Sequence, residues 1–149
     1  MKGPGGDFAR EITTAGRALA EAARGYLSQL AFAPDAIIAS PAERTRQTSQ
    51  IVCGDMAPEV IFDKHLYLAS EQELVRFLRD LDDDWQKVLL IGHNNGISEL
   101  VTFLSGAPCT LPTGSIARLS GNRHAWNYSV SRCLWKLDEC WHANKTNSY

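Results

Sequence analysis

No apolar stretch in this chain approaches the ~20 residues that a membrane-spanning helix needs, so a helical span is excluded. Charge of one sign is also scarce. Lys+Arg number 15 and Asp+Glu 17, a net charge of −2 with no long basic run, which argues against general nucleic-acid binding. The four cysteines, Cys53, Cys109, Cys133 and Cys140, form no C-x-x-C or histidine-spaced pattern, and are expected as reduced thiols without a metal. Met1 to Asp7 is glycine-rich and has no apolar core, unlike a secretory signal, so the cytoplasm is the expected location. No repeat, low-complexity tract or linker divides the sequence. Asp82-Asp83-Asp84 sits where a helix C-terminus would repel it, and is read as a solvated turn rather than a metal site.

What remains is an ordinary globular composition: 149 residues, 44% hydrophobic and 21% charged, enough to bury the core of a single domain over 1–149. Thr13 or Thr14 can cap a helix running to about Leu30, with an apolar face at Leu19, Ala22, Ala23, Tyr26 and Leu27. Pro34-Asp35 breaks it, and Ala36 to Ala39 reads as a fully buried strand. A helix from about Ala42 to Cys53 follows, with Gly54 as its stop, then a short strand at Val60 to Phe62. Ser70 and Glu73 form a capping box that opens a helix through about Leu81, with a stripe of Leu74, Phe77, Leu78 and Leu81. Lys87 to Ile91 is a third strand, leading into a helix that ends at Ser105 with Gly106 beyond it. Ile116 to Leu119 and Cys133 to Leu137 read as late, half-exposed strands, and 141–149 as a polar, frayed tail. Strands interleaved with helices imply an α/β layered domain with a largely parallel sheet.

In such a sheet, ligands bind beyond the carboxyl ends of the strands. Two segments lie there, each a strand, a turn and a helix: Ser40-Pro41-Ala42-Glu43-Arg44 and Gly92-His93-Asn94-Asn95-Gly96. A helix N-terminus offers unpartnered N–H groups and a favourable dipole to an anion. A cation in a helix's first turn opposes that dipole, so Arg44 calls for a specific partner, and its planar fork suits two phosphate oxygens. A lone arginine is usually a surface charge and a lone histidine usually structural. The matched settings of Arg44 and His93 favour function, and point to a site for a phosphoryl group. Ser40 and Asn94, in the same turns, complete the candidate phosphate-binding set.

Ser40 to Thr48 (Ser-Pro-Ala-Glu-Arg-Thr-Arg-Gln-Thr), with Gly92 to Gly96 (Gly-His-Asn-Asn-Gly), resembles the histidine phosphatase, or phosphoglycerate-mutase-like, superfamily. Within it the chain is similar to the small phosphohistidine phosphatases of the SixA type. Asp7 to Gly16 resembles that branch's Asp-Phe-x-Arg-Pro-Leu-Thr-x-x-Gly segment with Glu11 in place of proline, and Leu111 to Ile116 matches a later element. The likeness runs in order over roughly residues 7 to 120 and fades beyond Gly121. It implies a three-layer α/β/α sandwich, no metal and no cofactor, and a phosphorylated small molecule or protein as partner. It also implies Arg44 as the phosphate clamp and His93 as the second active-site histidine, steadying a phosphoryl group in transfer to a nucleophilic histidine.

The sequence departs from that pattern at one point. The family's nucleophile lies on an Arg-His-Gly or Arg-His-Ala motif after a first strand, ahead of the Asp-Phe segment. Here Met1-Lys2 runs into Gly3-Pro4-Gly5-Gly6-Asp7, and none of His65, His93, His124 or His142 follows an arginine at the end of such a strand. Arg123-His124 is the one Arg-His pair. The expectation is therefore an impaired phosphatase or a pseudophosphatase that binds phosphate without turnover. The resemblance places the missing strand between Ala36–Ala39 and Val88–Ile91. Direct pairing of those two strands is the expected remedy, with a homodimer as the alternative.

Overall fold

The computed structural model describes residues 6–121 and 125–143. The chain divides into two compact units, one from the described residues of 1–67 with Lys87–Gly92, the other from Leu68–Gln86 with the described residues of 93–149. Among the described residues, no helix is long and apolar enough to cross a membrane.

The first unit holds helix α1 (Thr14–Gln29), strand β1 (Ala36–Ala39), helix α2 (Glu43–Val52), strand β2 (Val60–Phe62) and strand β3 (Val88–Ile91). The Thr13 side chain caps α1 by accepting from the Gly16 N–H, and Ala20, Ala23 and Leu27 are its buried face; of the expected face, Leu19, Ala22 and Tyr26 are only half-buried. All four residues of β1 are buried because it lies centrally: the sheet order is β2-β1-β3 and every pair is parallel. Ala36 pairs with Val88 and Ala39 with Ile91, so β1 and β3 bond directly, as the need to satisfy buried backbone groups requires. The Asp35 carboxylate accepts from the Lys87 N–H (2.9 Å) and sets that register. Helix α2 ends at Val52 with Cys53 as its C-cap. Gly54, expected as the stop, is not among the glycines at positive φ.

The second unit holds helix α3 (Glu71–Arg79), helix α4 (Gly96–Ser105), strand β4 (Ile116–Ser120), the short helix α5 (Trp126–Ser129) and strand β5 (Lys136–Trp141). Both halves of the Ser70/Glu73 capping box form. Helix α3 stops two residues short of the expected Leu81, with Leu74, Val75 and Leu78 buried. Gly106 closes α4 at φ 75°, the left-handed conformation glycine supplies. The acidic turn has a structural use, since Asp83 accepts from the Trp126 N–H (2.9 Å) at the start of α5.

The late strands form an antiparallel pair in their own sheet rather than joining the parallel one. The second of them also begins later than expected. Cys133 and Trp135 donate their N–H groups to the Phe103 and Leu104 carbonyls, so this turn, with Cys133 at φ 62°, braces the end of α4, and β5 starts only at Lys136. Trp141 belongs to β5, and His142 is buried with Nε2 donating to the Thr113 carbonyl (3.1 Å), so neither lies in a frayed tail.

Candidate functional site

Ser40 and Arg44 lie in the first unit, His93 and Asn94 in the second, and each pair is described by itself. Ser40 follows β1 and is fully buried. Its N–H continues the ladder to the Ile91 carbonyl (3.1 Å), and its Oγ accepts from the Ala42 N–H (3.3 Å). The hydroxyl thus shapes the turn into α2 and exposes no surface to a ligand.

Arg44 is the second residue of α2, where its charge opposes the helix dipole. The partner its position demands is supplied within the chain by Asp7. Arg44 donates Nη1 to the Asp7 carbonyl (2.9 Å) and Nη2 to the Asp7 carboxylate (3.2 Å). The same carboxylate accepts from the Tyr67 hydroxyl (2.6 Å) and lies 3.3 Å from the Arg10 guanidinium. The hydrogen bond from Tyr67, then the charge of Arg44, hold the Asp7 carboxyl below its ordinary range against a partial desolvation. Tyr67 is raised above its ordinary range, chiefly by that hydrogen bond. The neighbouring Phe8 carbonyl accepts from the Glu43 N–H (2.9 Å), and the Phe8 ring meets Tyr67 edge to face at 5.1 Å. One of the orphan donors at this helix N-terminus is therefore occupied by the chain itself.

Asp7 and Tyr67 escaped the residue-level reading. Asp7 could have been singled out because it opens the Asp-Phe segment. Tyr67 carries no local signal, since its role depends on a contact across 60 positions of sequence.

In the second unit, half-buried His93 precedes α4, its carbonyl accepting from the Ile97 N–H (3.1 Å). The Asn94 side chain braces the loop after α4: its Nδ2 donates to the Leu111 carbonyl, and its Oδ1 accepts from the Ser98 hydroxyl (2.8 Å). Ser98 Oγ in turn accepts from the Leu111 N–H (2.9 Å). Gly96 is required by space, because a Cβ there would stand 2.1 Å from the Ala69 carbonyl oxygen. His65 is exposed, with Nδ1 2.7 Å from Asp63, and the Arg123-His124 pair lies outside the described residues. A hollow of about 250 Å³ beside α3, lined by Glu71, Val75, Arg76 and Phe103 among others, touches none of the candidate residues.

Comparison with known proteins gives a consistent picture. Residues 5–67 match the model of the histidine phosphatase superfamily (branch 1). An uncharacterised chloroplastic protein of Arabidopsis thaliana is 30% identical over 146 residues, covering 89% of this chain and 67% of that protein. The putative phosphohistidine phosphatase SixA from Nakamurella multipartitia superposes with a TM-score of 0.79 at 24% identity, over 91% of this chain and 86% of the other. A protein histidine phosphatase SixA complexed with tungstate gives 0.76 at 20% identity, over the same 91% and 86%. At these identities the two structural likenesses establish the fold.

Proposed function

The chain belongs to the histidine phosphatase superfamily, with the α/β fold of its phosphoglycerate-mutase-like members, and from that membership we propose that it binds a phosphoryl group through Arg44 with little or no turnover. The observation that carries this is the Arg44 guanidinium itself. It is set against its own helix dipole, and its two terminal nitrogens grip a carbonyl and a carboxylate, the oxygens an oxyanion would offer. His93 is assigned the family's second active-site role, steadying a phosphoryl group. Ser40 and Asn94 serve by shaping the two turns. The tungstate complex of a SixA protein supports an oxyanion as ligand. The low turnover is proposed for the chain of residues 1–149, in which Arg123-His124 is the one Arg-His pair.

The ligand in this reading is a phosphorylated small molecule or protein, in a compartment that keeps thiols reduced, the cytoplasm being the first choice. A homodimer is part of the same reading, because the ladder of apolar β3 runs to β1 alone among the described residues. A sedimentation mass of one chain would remove it.

Incubation with a small phosphodonor, followed by acid and base treatment, tests the catalytic half. No acid-labile, base-stable phosphate is expected on the protein. Its appearance would overturn the claim, and its mapping to His124 would identify a displaced nucleophile.

A second reading draws on the Asp7–Arg44 ion pair. If Asp7 is a permanent counterion, the site is vestigial and the cluster only ties the N-terminal segment to α2. Affinity for an oxyanion separates the two readings.

A further inference from the structure

We propose that Cys109 and Cys140 are an oxidant-responsive thiol pair, closing to an intramolecular disulfide that clips the loop after α4 onto β5. Their sulfurs stand 3.3 Å apart. A disulfide bond is about 2.05 Å long, so closure asks for a movement of only ~1.3 Å. Cys140 is exposed on β5, opposite Ala117 of β4, and Cys109 is half-buried in the loop between α4 and β4. Two thiols in contact at an accessible surface are set apart from Cys53, which is buried and whose thiol is pushed up to about 11 by desolvation, leaving it inert. Cys133, also exposed, packs instead against Gly106.

The chemistry is thiol–disulfide exchange with a small-molecule disulfide, of which oxidised glutathione is the representative. The exposed Cys140 thiolate attacks one sulfur of the oxidant, expelling the first glutathione thiolate and leaving a mixed disulfide. The Cys109 thiolate then attacks the Cys140 sulfur and expels the second glutathione. One protein disulfide forms, two electrons pass to the oxidant, and the two thiol protons go to the two glutathiones released.

The loop so clipped is the one that holds Asn94. Cys109 is anchored to α4 by its N–H to Thr102 Oγ1 (3.0 Å), and two residues on, the Leu111 carbonyl and N–H engage Asn94 and Ser98. The Thr113 carbonyl is already tied to His142, just past β5. A bond at Cys109 adds a covalent restraint to this loop next to His93, so the redox state is passed to the turn that precedes α4. The inference goes beyond the phosphate reading and does not depend on it.

The test is titration of the whole chain with oxidised glutathione, read by mass, by thiols reactive after denaturation and by disulfide mapping. The mass should fall by about 2 Da as two thiol hydrogens leave, and the four thiols should drop to two. The mapped peptide should join Cys109 to Cys140, and amide exchange at Leu111 should slow in the oxidised form. Cys109→Ser and Cys140→Ser should each abolish the bond, with circular dichroism confirming that they fold, while Cys133→Ser should leave it intact. A persistent glutathione adduct, an intermolecular dimer, a bond to Cys133 or Cys53, or no change in mass would each overturn the proposal. None of these readouts involves phosphate, so their failure is distinct from a failure of oxyanion binding.

Discussion

Arg44 shows how one unfavourable placement can be resolved in more than one way. A cation in the first turn of α2 needs an anion, and the chain supplies Asp7. An incoming oxyanion must share or displace that carboxylate, so Asp7→Asn should raise oxyanion affinity while lowering the melting temperature. The pH dependence follows from the direction of the Asp7 shift. A carboxyl whose folded pKa is held below 3.8 contributes stability that is present above pH 3.8 and is lost as acid carries it through the lowered value. The melting-temperature gap between wild type and Asp7→Asn should therefore be full at neutral pH and shrink at pH values more acidic than 3.8. A gap independent of pH would contradict the ion-pair account. Gly96 gives a separate test of packing. With the Ala69 carbonyl 2.1 Å from where a Cβ would sit, backbone must move, and Gly96→Ala should cost about 1–3 kcal/mol or more in urea unfolding, the range for overpacking. Arg44 and His93 could be proposed from the sequence because each sits in a strand–turn–helix pattern that charge alone does not explain. Asp7 and Tyr67 were not, because their roles exist only once distant segments meet.

At the scale of elements, the legible features were those written in local chemistry. Thr13, the Ser70/Glu73 box and Gly106 act within a few residues, and each forms as its side chain dictates. Ser70→Ala should cost about 0.5–2 kcal/mol, the usual effect of losing an N-cap, measured by urea unfolding. A change within error would mean that tertiary contacts alone hold the start of α3. The late strands were less legible for a physical reason. Residues 133–135 lie in a turn, with Cys133 left-handed at φ 62°, and spend two of their N–H groups on the carbonyls of α4, while the ladder begins at Lys136. Alternation along the sequence cannot distinguish a turn bonded to a helix end from the start of a strand. The short apolar run of β1, bounded by Pro34-Asp35 and Ser40-Pro41, was legible as a buried strand and takes the central place in the parallel sheet.

For the molecule as a whole, membership of the histidine phosphatase superfamily fixes the fold, while the chemistry available to this chain follows from its own residues. The direct ladder between β1 and β3 satisfies the backbone groups that an unfilled gap between them would have exposed. The central claim is that this scaffold holds a phosphoryl oxyanion through Arg44. Calorimetric titration of inorganic phosphate or vanadate into wild type and Arg44→Ala tests it most directly. Saturable binding to wild type, weakened by about 1.5–3 kcal/mol in the variant as for a hydrogen bond to a charged group, is the predicted result. Equal affinity in the two proteins, or no binding to wild type, would contradict it.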